Sequence, residues 1–160
     1  MLARAHQLFS KTNQFNLTTR RYTLAQLEAF SLDANARLLM IHAEDRFGDM
    51  GWISAVLLQD MQQPVARIDN FVLSCRAMGR AIESAILNHV KAACFARPTC
   101  LAITAEYAPT AKNAPVRELY EEHGFSVTAT SADGHKTYRF NRDNDARTTC
   151  DWIEVELISQ

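Results

Sequence analysis

The sequence predicts a single domain of mixed α/β (α+β) class, with a mostly antiparallel, twisted sheet flanked by helices. Three observations support this class: two helical stretches open the chain, three strand-like runs follow, and helices then alternate with strands. The length of 160 residues is enough for one domain with a real hydrophobic core, so we assign residues 1–160 to one unit.

Two helices are predicted before the first strand. Apolar residues at helical spacing predict the first over residues 1–15, and the polar stretch 16–21 after it is predicted as a loop. Thr23 can cap the second helix, and Gln26 three residues later completes a capping box. The buried face of this second helix is expected to carry Leu24, Leu27 and Phe30.

The middle of the chain changes to a strand pattern. Runs rich in Leu, Ile and Val at 37–47 and 52–60 flank the glycine-containing stretch 48–51, which predicts a hairpin. A second turn ends at Pro64 and leads into a third strand at 65–73. We therefore expect three consecutive antiparallel strands.

Helices and strands alternate in the second half. Apolar spacing predicts a helix over 82–96, followed by a strand at 100–107. Another helix is predicted over 113–123, with Pro115 in its first turn and Gly124 as its left-handed cap. The closing strands are placed near 126–130, 137–140 and 152–158, with a charged loop at 143–149.

Charge and composition restrict the partners. The net charge of −1 implies no broad positive surface, so nucleic acid is not expected as a partner. No apolar run approaches the roughly 18 residues that span a bilayer, and the polar N-terminus is unlike a signal peptide. The four cysteines lack a CxxC pair and zinc-type histidine spacing, so we expect no metal site and a cytoplasmic, reduced chain.

The strongest candidate binding segment lies between the third strand and the long helix. It consists of Arg76, Ala77, Met78, Gly79, Arg80 and Ala81. A strand that turns into a helix presents free N–H groups and the positive end of the helix dipole, an arrangement that binds phosphate. Gly79 would allow close approach of a ligand, and the two arginines could add charge-assisted contacts. The alternative is a plain turn that needs a glycine.

A second motif follows one strand and one helix later. Asn113 lies seven residues before Tyr120, and the segment ends in Gly124 and Phe125. The Arg-x-x-Gly-x-Ala segment followed by Asn and Tyr-x-x-x-Gly-Phe resembles the GNAT acyltransferase superfamily. The chain departs from the commonest form of the first motif at two positions where glycine is usual, and both carry alanine, Ala77 and Ala81.

The resemblance implies an enzyme that transfers an acetyl or acyl group from acyl-coenzyme A (acyl-CoA) to an amine or a carrier-bound acceptor. By motif position, residues 76–81 would bind the CoA pyrophosphate, while the Leu73 backbone and Asn113 would contact the pantetheine arm. Tyr120 would protonate the leaving thiolate, a role that a phenol can fill. The alternative for Tyr120 is a core aromatic residue.

Two carboxylates are candidate general bases for an amine acceptor. Asp69 lies on the third predicted strand, and Glu106 lies near the end of the fourth. The alternative is that each is a solvated strand residue.

Four long stretches carry a more specific resemblance: residues 6–22, 45–51, 71–80 and 107–116. They are similar to the C-terminal region of FkbH-like proteins, which join a HAD-type phosphatase-like domain to a GNAT-like region. That family loads a glyceryl unit onto an acyl carrier protein for polyketide biosynthesis. The Asp-x-Asp-x-Thr loop of the HAD half does not occur in the sequence, so glyceryl transfer is not assigned. The resemblance implies a second possibility, a non-catalytic GNAT-like module that docks an acyl carrier protein or a HAD-type partner.

Overall fold

A computed structural model describes residues 1–144 and 147–156 of the chain. The helices are Leu2–Lys11 (α1), Leu24–Leu32 (α2), Ile82–Phe95 (α3) and Leu119–Glu122 (α4). The strands are Arg37–Asp45 (β1), Gly48–Gln59 (β2), Val65–Leu73 (β3), Ala102–Tyr107 (β4), Ser126–Thr130 (β5) and Lys136–Asn141 (β6). The strands form one sheet in the order β1-β2-β3-β4-β6-β5.

One pair of neighbouring strands is parallel. β3 and β4 run in the same direction because α3 crosses between them, and the other four pairs are antiparallel. The mixed α/β class with a mostly antiparallel sheet is therefore confirmed, as are the three consecutive antiparallel strands β1 to β3.

Each face of the sheet has its own apolar cluster. α1 and α2 cover one face, where Phe9 and Leu27 pack against Leu57 and Val72. α3 and α4 cover the other face, where the larger cluster includes many β3 and β4 side chains. β3 contributes to both clusters and lies at the centre of the fold, so it can position groups on either face.

The predicted start of α2 is confirmed. The Thr23 hydroxyl accepts the Gln26 N–H at 3.2 Å, and the Gln26 side chain accepts the Thr23 N–H at 2.8 Å. The predicted inward face is only partly correct, because Leu27 is fully buried whereas Leu24 is 42% exposed. Capping chemistry is local and readable in sequence, but which side of a short helix is buried depends on the sheet beneath it.

The β1–β2 hairpin turns two residues earlier than predicted. Its tip is Arg46-Phe47, where the Asp45 carboxylate accepts the Phe47 N–H at 2.7 Å. Gly48 and Gly51 lie within β2: Gly51 is beside a register shift, and Gly48 pairs with Asp45 directly after the tip. Gly51 therefore belongs to a bulge, and the short acidic side chain of Asp45 stabilises the turn.

The stretch 16–21 is a loop, as predicted, with a single bridge at Asn16, but half of it is buried. α1 ends at Lys11, and Asn16, Leu17 and Thr18 are buried under other chain segments. Short polar side chains can be buried when their hydrogen bonds are satisfied, so the polar composition of this loop did not reveal that it is buried.

The last predicted helix and the last predicted strand also need correction. Residues 113–123 form a 3-10 turn at Ala114–Val116 and the four-residue α4, because Glu118 leaves the helical region (φ −107°, ψ 4°). Residues 152–156 are not a strand, and Trp152 and Val155 are exposed. Residues 157 and 158 of that predicted strand, and residues 145 and 146 of the predicted charged loop, lie outside the described residues.

Candidate functional site

The segment after β3 contains two residues with positive φ, one on each side of Arg80. A single 3-10 turn, Cys75–Ala77, follows the strand, so the strand does not pass straight into the helix as predicted. Gly79 has φ +74° and Ala81 has φ +59°. The bend at Gly79 is as predicted. We call residues 76–81 the phosphate loop.

Several N–H groups of the phosphate loop and the start of α3 are available to a ligand. No backbone carbonyl within residues 1–144 and 147–156 accepts the N–H groups of residues 79–83, and no side chain caps α3. The first bonds of the helix run from Ser84 and Ala85 to the Ala81 carbonyl. A Cβ built on Gly79 would have no heavy atom within 4 Å, so the space beside these donors is open. This arrangement is suited to an anion.

Ala81 adopts a conformation that favours glycine. We expect Ala81→Gly to raise the free energy of unfolding by about 0.5–1 kcal/mol, because the left-handed region disfavours a Cβ. Urea denaturation would measure the change. Ala85→Gly inside α3 is the control and should lower stability by about 1 kcal/mol. Destabilisation by Ala81→Gly would contradict the left-handed assignment.

The two arginines of the phosphate loop lean toward the β1–β2 hairpin. Arg80 donates to Asp45 at 2.6 Å, and a Cβ on Gly51 would lie 3.9 Å from the Arg76 guanidinium. The Phe47 N–H and the Arg80 guanidinium hold the pKa of the Asp45 carboxyl below its ordinary value. Arg80 would therefore have to exchange an ion pair in order to contact a phosphate.

A cavity of about 300 Å³ lies beside the phosphate loop, between the start of α3 and the segment that leads into α4. Its lining includes three carboxylates, Glu83, Glu118 and Glu122, and one cation, Arg117. One oxygen of Glu83 is buried and lacks a partner in the described part of the chain. The backbone donors attract an anion here, whereas the carboxylates oppose one.

β3 and β4 separate in front of the phosphate loop. Their paired registers end at Ile68 and Ala105, and the next residue of β3, Asp69, is skipped in the pairing with β2. Such a bulge bends a strand, and bulges are frequent beside active sites. We call the gap beyond this point the wedge. The wedge is filled by residues 15–20, which we call the inserted segment.

Backbone hydrogen bonds join the inserted segment to both sides of the wedge. On the β3 side, the Leu73 N–H donates to the Phe15 carbonyl at 3.1 Å, and the Leu17 N–H donates to the Phe71 carbonyl at 3.2 Å. On the β4 side, the Ala108 N–H donates to the Leu17 carbonyl at 2.8 Å. The resemblance assigns the Leu73 backbone to the pantetheine arm, but its N–H is bonded to the chain itself.

Polar side chains fix the inserted segment further. Asn16 is fully buried, donates to the Thr12 carbonyl at 3.1 Å and accepts the Thr19 N–H at 2.9 Å. The Thr18 hydroxyl donates to the Asp69 carbonyl at 3.1 Å. These bonds satisfy the buried polar groups, so the segment is an integral layer of the fold.

Asn113 also holds the inserted segment. Its Nδ2 donates to the carbonyls of Asn16 and Ala108, both at 2.9 Å. Its Oδ1 accepts the Thr110 N–H at 2.7 Å and the Tyr107 hydroxyl at 3.1 Å. The side chain is fully buried, so each of its hydrogen-bonding atoms is engaged within the protein.

The two predicted carboxylates meet through Arg20, a residue that the sequence prediction did not select. Arg20 bonds Asp69 at 3.1 Å and Glu106 at 2.6 Å. Asp69 is 5% exposed and also accepts from Arg67 and from the Tyr22 hydroxyl. Neither carboxylate is a freely solvated strand residue. The basic pair at positions 20 and 21 was the one available indication of this role.

Tyr120 lies in the larger core cluster, together with Phe15 and Leu17 of the inserted segment. Its ring packs 5.1 Å, centroid to centroid, from both Phe125 and Tyr138. Its hydroxyl is buried and has no partner in the described residues. Burial, together with the nearby Tyr138 and Glu106, raises the pKa of this phenol, which stays protonated at neutral pH. An unpaired buried hydroxyl is costly, and such groups are frequent at functional positions.

No group of three or more His, Cys, Asp or Glu side chains in residues 1–144 and 147–156 is arranged to hold a metal ion. In the same residues, no helix has both the length and the apolar character needed to cross a bilayer.

Comparison with solved structures identifies the fold. Spermidine N-acetyltransferase SpeG from Vibrio cholerae, in complex with CoA and spermine, is 17% identical with a TM-score of 0.66, over 88% of this chain and 89% of that one. The ribosomal-protein-S18-alanine N-acetyltransferase from Escherichia coli is 13% identical with a TM-score of 0.64, over 96% and 93%. No protein-family model matches the chain, and no curated protein matches it in sequence. The chain has the fold of the GNAT N-acetyltransferases.

Proposed function

We propose that the chain binds acyl-CoA at the phosphate loop and transfers the acyl group to a nucleophilic acceptor, an amine in the simplest case. The observation that carries the proposal is the set of open N–H donors at residues 79–83, in the fold shared by the N-acetyltransferases above. One of those enzymes has been solved with CoA and spermine, which supports acyl transfer to an amine as the reaction class.

The residues present fit the nucleotide end of CoA. The N–H donors and the open space beside Gly79 suit a pyrophosphate, which is an anion that several backbone donors can share. Acyl-CoA would supply an activated thioester carbonyl. The arm positions fit less well, because Leu73 and Asn113 bond the inserted segment.

Glu106 is the stronger of the two candidate bases. Its side chain is 27% exposed and lies 3.6 Å from His135, whereas Asp69 is surrounded by donors. A partly exposed carboxylate can exchange protons with an incoming amine, and a saturated one cannot do so without losing its partners. We therefore assign Asp69 to the framework of the wedge and Glu106 to the acceptor side.

Tyr120 is the proposed proton donor, and a phenylalanine substitution tests this role because it removes only the hydroxyl. We expect Tyr120→Phe to reduce turnover at least about tenfold while CoA affinity is unchanged. The free energy of unfolding should be unchanged or raised by about 1 kcal/mol, because an unpaired buried hydroxyl is removed. Acetylation assays with a panel of amines and urea denaturation would measure the two effects.

Tyr138→Phe is the matched control for Tyr120→Phe, because its ring lies 5.1 Å away and its hydroxyl bonds the Arg117 carbonyl at 3.3 Å. That variant should lose stability and retain turnover. Full turnover in Tyr120→Phe would remove Tyr120 as the acid.

Glu83 opposes an anion at the start of α3. We expect Glu83→Gln to raise CoA affinity about three- to tenfold, because a like charge beside the phosphates is removed. The same change should lower stability by about 0.3–1 kcal/mol, since a carboxylate in the first turn favours the helix. Calorimetric titration and urea denaturation would report these opposite signs. Glu28→Gln on α2 is the control, and weaker CoA binding by Glu83→Gln would contradict the account.

A second candidate function is the non-catalytic module implied by the FkbH-like resemblance. A cavity of about 490 Å³ between α1 and residues 74–75 favours it, since the lining includes Arg4, Lys11 and Lys112 and no carboxylate. A phosphopantetheine arm on an acyl carrier protein carries a phosphate, which such a lining would attract.

The second candidate predicts that a holo acyl carrier protein binds the chain and that Lys11→Glu abolishes this binding. The apo carrier, which lacks the phosphopantetheine arm, should bind the unmodified chain as weakly as the holo carrier binds the Lys11→Glu variant. Binding of CoA together with turnover would favour the enzyme.

A further inference from the structure

We infer that the inserted segment is an internal occupant of the wedge, so that the chain in this conformation takes the nucleotide end of CoA and excludes the pantetheine arm. The inference rests on the proposed function and specifies which part of the ligand the site accepts. It follows from contacts made by the chain itself, on both sides of the wedge.

The backbone edge available to an arm is already paired. Along β3, the Phe71 carbonyl and the Leu73 N–H point away from β2 and bond Leu17 and Phe15. Asn16 forms an antiparallel bridge with Val72, so the segment acts as an added strand. A pantetheine amide would need the same donors and acceptors, and the two cannot share them.

The side chains of the inserted segment fill the space as well. Phe15 packs edge-on against Phe71, with ring centroids 5.0 Å apart, and Leu17 is fully buried in the larger core cluster. Truncating a buried leucine to alanine leaves a cavity and costs about 2–5 kcal/mol of stability. Withdrawal of Leu17 from the core would leave a similar cavity, so the segment stays in the wedge in most molecules. The wedge is closed by packing and by hydrogen bonds together.

Arg20 closes the far end of the inserted segment. It joins Asp69 of β3 to Glu106 of β4 across the point where the strands separate. The Asn70 side chain accepts the Thr18 N–H at 3.3 Å and donates to the Arg20 carbonyl at 3.1 Å. Opening the wedge for an arm therefore requires that the Arg20 contacts break and that the segment withdraws.

The pyrophosphate position stays accessible while the wedge is closed. Gly79 and Glu83, at the two ends of the run of unpaired N–H donors, line the 300 Å³ cavity beside the loop, and Phe15 borders this cavity without filling it. Two ligands that share a nucleotide and differ in the arm should therefore bind alike. Acyl transfer would occur only in molecules whose wedge is open, because the arm that carries the acyl group must enter it. The measured activity would therefore scale with the fraction of open molecules.

The test compares CoA with 3′-phosphoadenosine 5′-diphosphate, its nucleotide without the arm, by calorimetry and by amide hydrogen exchange. We expect dissociation constants within about threefold of each other, a difference below about 0.7 kcal/mol. Exchange at the Leu17, Leu73 and Ala108 amides should be equally slow in the free protein and in both complexes, because these N–H groups stay bonded.

A variant extends the test to an opened wedge. Leu17→Ala should tighten CoA binding relative to the nucleotide and speed exchange at the Leu73 amide. Leu57→Ala, a fully buried leucine of the opposite face, is the control and should leave the ratio of the two affinities unchanged. If Leu17→Ala does not fold, the comparison of the two ligands on the unmodified chain still decides.

The outcomes separate the inference from the proposed function. Equal binding of both ligands supports both. CoA bound more than tenfold tighter, with altered exchange at the Leu17 amide, overturns the inference and leaves the function standing. Binding of neither ligand overturns the proposed function and the inference with it.

Discussion

Gly79→Glu is expected to abolish CoA binding, with a loss of affinity above about 100-fold, or roughly 2.7 kcal/mol. The substitution places a carboxylate in the open space beside the N–H donors of residues 79–83. Glu83 already brings negative charge to this position, so a second carboxylate would repel the phosphates strongly. Isothermal calorimetry at low and moderate salt would measure the loss.

Gly79→Gln separates charge from shape. Both variants force a side chain into φ +74°, so both should lose about 1–2 kcal/mol of stability to backbone strain. The glutamine variant lacks the added charge and should bind CoA at least about tenfold tighter than the glutamate variant, with a gap that shrinks as salt rises. Equal binding by the two variants would mean that the loop does not sense the charge of its ligand.

Asn113→Ala is expected to lower the free energy of unfolding by about 3 kcal/mol. The fully buried side chain makes four hydrogen bonds, and two of their partners are the Asn16 carbonyl in the inserted segment and the Ala108 carbonyl directly after β4. Truncation leaves buried carbonyls without donors, which costs more than the bonds themselves. Urea denaturation would measure the change as a lower midpoint at constant slope.

Lys112→Ala, at the exposed neighbouring position, is the control for Asn113→Ala and should change stability by less than about 0.5 kcal/mol. A stable Asn113→Ala variant that fails to bind CoA would contradict the account. That result would instead support the contact between Asn113 and the pantetheine arm that the resemblance implies.

Much of the fold was readable from the sequence because its determinants are local. The Thr23 capping box, the limits of β3 and the run of α3 follow from side-chain chemistry and from apolar period. The position of the hairpin tip was not readable, because glycines at bulges and glycines in turns give the same pattern. The apolar run at 152–158 resembles a strand, but residues 152–156 pair with no strand of the sheet.

The sequence predicted the phosphate loop of the candidate site, but it did not predict the wedge or the segment that fills it. Gly79 and Ala81 adopt the left-handed conformations that a tight strand-to-helix passage requires, and the motif pointed to them. The role of Leu17 depends on contacts with Phe71 and Ala108, more than 50 residues away along the chain. Such pairings are set by the tertiary arrangement of β3 and β4, and no short pattern encodes them.

A titration of the chain with CoA, followed by calorimetry and amide-resolved NMR, tests whether the phosphate loop binds CoA. We expect a dissociation constant in the micromolar range, about −8 kcal/mol, with chemical-shift changes concentrated at the amides of residues 79–83. A flat calorimetric trace up to millimolar CoA, with those amides unmoved, would contradict this expectation.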